Sequence, residues 1–291
     1  MTAEAAHEGY DWRRTIAWVD QNGNETERAR LRGLLGRPVP DARIIRTLDA
    51  RQNLDGGFPS DLVQGRPSSI DTTAQVLRSM HDLRMLGGPQ AQRVVTFLFT
   101  AQRPDGSWDE PAGLLKFGPP PRLVPGDPRV QAFCTAVAAY WLVLLGYRTD
   151  HAVSRALGYL RPRQAADGRF LGFLRTTWVA AAVFRLVEGP NAAPAARAID
   201  ALGTLTADRW QAGALTGMLN AFAEAGVPAH VPVVRGGLER LRLLAEPDGS
   251  WSSEDGDFYH CDVTLRALRV FLLYGVVSPP ALSAVSPAGA G

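Results

Sequence analysis

Two polar segments stand directly ahead of apolar, helix-like runs, and they hold the residue types best suited to chemistry. The first is Ser68-Ser69-Ile70-Asp71-Thr72-Thr73-Ala74-Gln75 and the second is Asp257-Phe258-Tyr259-His260-Cys261-Asp262-Val263-Thr264. A carboxylic acid in a dry, apolar site keeps its proton because desolvation disfavours the anion, and it can then hand that proton on. Asp71 and Asp262 are rival candidates for such an acid. His260 could act as general acid–base or as the hydrogen-bond partner of a cavity carboxylate. The structural alternative is plain in each case: an Asp at a helix start also serves as a cap, and His260 and Tyr259 could satisfy each other in a loop.

Large aromatics are the second kind of candidate. Trp141, Trp178, Trp210, Phe133 and Tyr259 fall on or near the apolar runs. A ring face can hold a passing cation, although big rings also simply fill cores. Trp178 and Trp210 each open an apolar run. Arg175, beside Trp178, could meet a diphosphate or carboxylate.

These residues must be positioned by a repeat. Gln52-Asn-Leu-Asp55-Gly-Gly-Phe58, Gln102-Arg-Pro-Asp105-Gly-Ser-Trp108 and Gln164-Ala-Ala-Asp167-Gly-Arg-Phe170 are three copies, and Glu246-Pro-Asp248-Gly-Ser-Trp251 is a fourth that lacks the Gln. A worn copy stands at Ala207-Asp208-Arg-Trp210. The spacing of roughly 40 to 60 residues is that of solenoids and closed arrays. Asp-Gly is a tight-turn pair with Gly free to take positive φ, so the motifs read as architecture that braces loops. Amphipathic segments precede the turns (Ala91 to Ala101, His151 to Leu160). More uniformly apolar ones follow them (Thr73 to Leu86, Val130 to Leu145, Trp178 to Val187, Val263 to Tyr274). That contrast predicts outer helices facing water and inner helices buried on both sides. No hairpin signal joins two alternating runs.

Composition narrows the function classes. At 46% hydrophobic and 21% charged the chain is globular rather than disordered, and its net charge of +2 comes from scattered rather than blocked basic residues, which argues against nucleic acid. The two cysteines, Cys134 and Cys261, make no framework and fit a reducing cytoplasm. Met1 to Gly9 is acidic and lacks the apolar stretch of a secretory signal. The run Phe133 to Tyr147 is too short to span a bilayer. No Asp-Asp-x-x-Asp motif, Gly-x-Gly-x-x-Gly, P-loop or Gly-x-Ser-x-Gly elbow is present. Nothing in the sequence calls for a nucleotide, a metal or another cofactor.

The repeated Gln-x-x-Asp-Gly-x-Phe/Trp resembles the motif shared by squalene-hopene and oxidosqualene cyclases, class II diterpene cyclases and the β subunits of protein prenyltransferases. The resemblance covers roughly residues 42 to 277 and implies an all-α, α/α-toroid fold with a central apolar cavity, built as a single toroid domain. Residues 1–41 are expected to form a helical segment packing on that toroid, and 278–291 a flexible tail. The resemblance also places chemistry at the first turns of the inner helices. Laid on the Asp-x-Asp-Asp-Thr-Ala motif of class II cyclases, Asp71 takes the proton-donating middle position, with Ser69 and Thr72 where the flanking Asp residues would stand. Asp71-Thr-Thr-Ala-Gln75 looks closer to the single-acid Asp-Cys-Thr-Ala-Glu of the epoxide-opening cyclases. Asp257-Phe-Tyr-His260 resembles the prenyltransferase segment whose His binds zinc. The corresponding earlier segment, Gly172-Phe-Leu-Arg175-Thr-Thr-Trp178, carries neither the Asp nor the Cys that zinc would further need.

The function implied is acid-initiated cyclisation of a linear isoprenoid or polyene, with Asp71 (or Asp262) as acid, aromatic walls steering the cation, and no cofactor. Two alternatives remain: a non-catalytic protein that binds a hydrophobic ligand or serves as a partner subunit, and a prenyltransferase-like transferase. The Pro-rich stretch Gly118 to Asp127 could be a lid, or a point of peripheral membrane contact where a lipid substrate is delivered.

Overall fold

The protein is described here from a computed structural model, which covers residues 10–37, 42–205 and 210–278. The proposed tail beyond Ser278 and most of the worn fifth motif lie outside the described residues. Among the described residues twelve α-helices follow one another in pairs: α1 (Trp12–Asn22) and α2 (Glu25–Leu34), α3 (Ala42–Arg51) and α4 (Ile70–Asp82), α5 (Pro89–Ala101) and α6 (Pro128–Leu144), α7 (His151–Leu160) and α8 (Leu174–Glu188), α9 (Ala193–Gly203) and α10 (Ala212–Glu224), α11 (Pro232–Leu243) and α12 (His260–Leu273). The even-numbered helices touch in sequence, and α12 closes on α2, which in turn packs on α4. They form an inner ring of six, with the odd-numbered helices outside it. The boundary expected at residue 42 falls between the first and second pairs, so α2 stands in the inner ring.

The inner helices carry the core. α6 buries an unbroken run from Ala132 to Val143, which explains its weak amphipathicity: one face meets the outer layer and the other meets its ring neighbours. α5 and α7 bury one stripe each, as surface helices do. The only strand pairing among the described residues is two residues long, β1 (Phe58–Pro59) against β2 (Ser68–Ser69), and it delivers the chain into α4.

The repeated motifs brace loops, as their turn chemistry predicts. In each full copy the Gln side-chain amide donates twice, to the carbonyl of its own turn Gly and to a carbonyl in the first turn of the next outer helix: Gln52 to Gly56 and Gln90, Gln102 to Gly106 and Ala152, Gln164 to Gly168 and Pro194. The backbone N–H of each motif aromatic donates to a Thr hydroxyl at the head of the following inner helix. Phe58 uses Thr73, Trp108 uses Thr135, Phe170 uses Thr177 and Trp251 uses Thr264. The fourth motif, lacking its Gln, is tied instead to α1: Thr15 Oγ1 donates to the Gly249 carbonyl at 2.7 Å, and Arg14 Nη1 to that of Pro247 at 3.0 Å. These ties fix the start of every motif-bearing inner helix at one end of the ring.

Candidate active site

A cavity of about 300 Å³ occupies the centre of the ring. Its α6–α8 side is apolar, with Val137, Tyr140, Trp141, Trp178 and Val179. Its α4–α12 side is charged, with Asp71, Arg78, His81, Asp262, Arg266 and Arg269. Arg122, from the Pro-rich stretch, joins Ser253, Glu254, Asp255 and Tyr259 at the end where the inner helices begin. The expected apolar chamber is thus apolar on one wall only. The charges are tolerated because most are paired.

Asp71 sits in the first turn of α4 and is 3% exposed. Its Oδ2 accepts from Gln75 Nε2 at 2.8 Å, one helical turn on, and Oδ1 lies 3.4 Å from Arg175 Nη1. The cap of α4 is Ser69, whose Oγ accepts from the Thr72 N–H. Asp71 is therefore free of capping duty and faces the cavity.

Behind this turn lies a group that motif reasoning missed. Glu110, two residues past the aromatic of the second repeat, is 1% exposed and accepts from Ser69 Oγ at 3.0 Å, from the Ile70 N–H at 3.1 Å and from the Asp71 N–H at 2.9 Å. Burial pushes its carboxyl up to about 7, with the Asp71 charge adding to the rise and the three donors opposing it. The Cys134 thiol, 3.9 Å from Glu110 Oε1, is itself pushed well up by burial and by these carboxylates. A carboxyl at the first turn of a helix also gains from the helix dipole. The signal that could have found Glu110 is its place just after a repeat aromatic, but its partners lie about forty residues upstream.

Asp262 also reaches the cavity, in the first turn of α12. It is held between Arg30 Nη1 of α2 at 2.8 Å and Arg266 Nη1 at 3.5 Å. Burial works against its charge, but Arg30, Arg266 and Arg78 outweigh burial and hold the carboxyl well below the usual range. Such an anion is a structural counter-ion and a poor proton donor. Arg30, almost fully buried, bridges to Asp82 as well, at 2.9 Å. At the deep end Arg269 pairs with Asp82 at 2.7 Å and with Glu224, and lies 3.0 Å from His81 Nδ1. Burial and then the Arg269 charge hold His81 below its ordinary value.

His260 is not among the cavity-lining residues. It opens α12 beside them, with Nε2 3.4 Å from the solvent-exposed Asp257. Among the described residues no three His, Cys, Asp or Glu side chains gather in a metal-binding arrangement. Of the aromatic candidates, Trp141, Trp178 and Tyr259 line the cavity. Trp210 packs at a tilt against Trp178 with centroids 5.9 Å apart, and Phe133 lies under the Arg175 guanidinium at 4.9 Å. Arg175 itself lines the cavity. Its guanidinium is held below the usual range by burial first, with Arg78 and Arg122 adding to the effect and Asp71 opposing it.

No family model matches the chain, and no curated protein matches it. Solved structures do. The apo type II terpene cyclase MstE from Scytonema is 17% identical, with a TM-score of 0.62 over 91% of this chain and 97% of that one. An arginine-to-alanine variant of the same cyclase, in complex with the substrate geranylgeranyl dihydroxybenzoate, is 15% identical with a TM-score of 0.61, covering 91% and 96%. A protein from Actinoplanes is 19% identical, with a TM-score of 0.60 over 94% and 99%. At these identities the likeness establishes the fold: a single α/α toroid of the type II terpene cyclase kind.

Proposed function

We propose that the chain is a class II terpene-cyclase-like enzyme that starts the cyclisation of an isoprenoid by proton transfer from Asp71. The observation that carries this reading is a buried carboxyl at the head of an inner helix. It is not used as a cap, and it opens onto a cavity faced by Tyr140, Trp141 and Trp178. In this reading Asp71 protonates a terminal alkene or epoxide of a chain folded against the α6–α8 wall. The cation moves along the chain as rings close, and the indole faces of Trp141 and Trp178 stabilise it on the way. Loss of a proton or capture of water ends the cascade. The cavity contributes by holding the chain in a reactive fold while water is excluded. A lipid substrate would be taken up at the end where the inner helices begin. The loops leading into them leave Leu62, Val63, Leu115, Phe117, Leu171, Leu174 and Phe258 exposed, a surface suited to peripheral membrane contact. The geranylgeranyl substrate of the similar cyclase makes polyprenyl chains the first compounds to try.

The test is incubation of wild type and Asp71→Asn with linear isoprenoids, their epoxides and prenylated aromatic acids, with cyclic products read by mass spectrometry. Product from wild type and a loss of at least a hundredfold in Asp71→Asn is the expected result. Equal product from both would remove Asp71 from the chemistry.

One observation favours a second reading. The 3.4 Å approach of Arg175 to Asp71 is also how a spent, purely structural carboxylate would be held, as in a protein that binds an apolar ligand without turning it over. Tight isoprenoid binding with no product from any substrate in that panel is the result that reading predicts.

A further inference from the structure

The charges on the α4–α12 wall do not balance group by group. Asp262 is shared between Arg30 and Arg266, Asp82 between Arg30 and Arg269, and Glu224 goes to Arg269. Asp71 faces Arg175. That leaves Arg78, which lines the cavity from the third turn of α4 and has no ion pair or hydrogen bond among the described residues. Its charged neighbours are of both signs, Asp262 on one side and Arg266 and Arg175 on the other. Arg266 is held down to about 10 by burial, then by Arg78, with Arg175 contributing as well, and Arg175 feels Arg78 in the same way. Arg266 also carries a buried Nε with no hydrogen-bond partner, although its other nitrogens reach Asp262 and the Gly213 carbonyl. Three guanidiniums therefore converge inside a closed ring, one of them unpaired and one only partly satisfied. All three are half-buried, and taking a cation even partly out of water without a full set of partners is costly unless a ligand supplies the counter-charge.

We propose that Arg78 and Arg266 form an oxyanion-binding subsite, and that the physiological ligand carries a carboxylate or phosphate head group that these two side chains grip. Guanidinium forks suit both anions, since each offers paired oxygens to paired N–H groups. The proposal deepens the cyclase reading and rests on it only for the isoprenoid part of the ligand. It also removes a difficulty in that reading: a carbocation formed beside the unpaired Arg78 guanidinium is repelled by it, whereas an anion seated there offsets that charge. The geometry sets an orientation. Arg78 lies seven residues beyond Asp71 on one helix, about 10 Å along its axis at 1.5 Å per residue. The ligand's anionic end is then the deeper one, and the end to be protonated lies at Asp71.

The test is equilibrium binding, followed by calorimetry and by quenching of the cavity tryptophans, and it needs no turnover. The probes are geranylgeranyl diphosphate, geranylgeranic acid, the neutral geranylgeraniol, and the bare anions pyrophosphate and benzoate. The expected result is that at least one anionic isoprenoid binds tenfold or more tightly than the alcohol, and that Arg78→Gln abolishes this preference while leaving affinity for the alcohol unchanged. Arg78 has no partner to lose, so that variant should fold normally, and Arg235→Gln on outer helix α11 should behave as wild type. Whichever of the diphosphate and the carboxylate is preferred identifies the head group. An alcohol bound as tightly as the anions, a preference that survives Arg78→Gln, or no binding of any anion with or without a chain would overturn the proposal. Saturable binding of a bare anion lost in Arg78→Gln, in a protein that yields no cyclic product, would leave the subsite standing and remove only the cyclase reading.

Discussion

Glu110 and Asp71 meet at one helix turn, where a Glu110 carboxylate oxygen accepts from the Asp71 N–H at 2.9 Å. Asp71 stands in a motif, whereas Glu110 owes its role to a loop contact with Ser69, Ile70 and Asp71 that no local pattern encodes. Its carboxyl titrates near 7 in the fold against an ordinary value of 4.5. The folded state therefore holds the proton more tightly than the unfolded chain does. The stability this provides is complete below about 4.5 and is lost as pH rises to about 7. Glu110→Gln removes that dependence. From pH 4.5 to pH 8 its stability relative to wild type should rise by about 3 kcal/mol, the size of a shift of two to three pKa units. Denaturant titrations of both proteins at the two pH values would show it, and a constant gap would mean that Glu110 is ionised throughout. Asp262 teaches the converse. It has the same look as Asp71 in sequence, an Asp in the first turn of an inner helix. Arg30, more than two hundred residues away in the chain, makes it a fixed anion.

The elements were the most readable level. Turn chemistry and helical periodicity located the inner helices α4, α6, α8 and α12 to within a few residues, because both signals are local. The motif glycines show why the repeat is so strict. Gly168 has φ +89°, and a Cβ there would come within 2.3 Å of the Arg197 carbonyl oxygen of α9. Gly189 has a similar φ of +97° with open space around it. Both Ala substitutions carry the backbone penalty of about 1 kcal/mol or more, but only Gly168→Ala must also push α9 away. Its melting temperature should fall several degrees further than that of Gly189→Ala. Equal losses would show that backbone conformation alone selects glycine in the repeat. What periodicity could not give was the character of the cavity wall. Asp71, Arg78 and His81 follow helical spacing along α4, but a polar stripe on a helix ordinarily faces water, and only closure of the ring turns this one inward.

For the whole molecule, closure depends on the first helix pair. α2 carries no Asp-Gly-aromatic motif and is strongly polar, so it does not resemble the other inner helices. Its start is nevertheless marked by a capping box of Asn24 and Glu27. It completes the ring by sending Arg30 between Asp82 and Asp262, while α1 supplies the ties that the fourth repeat lacks. Removing residues 1–41 leaves buried carboxylates short of a cation, a loss of about 3–5 kcal/mol from that bridge alone, and opens the cavity wall. The truncated chain should lack a cooperative thermal transition. A truncated chain that melts as wild type does would show that five pairs suffice to close the toroid.

If Asp71 starts the cyclisation, a proton drawn ultimately from solvent enters the product. The direct measurement is to run the reaction in D₂O with the best polyprenyl substrate and weigh the cyclic product. One deuterium is expected at the carbon where cyclisation starts, in a product that wild type forms and Asp71→Asn does not. A cyclic product without deuterium, or a deuterated one formed equally by Asp71→Asn, would contradict it.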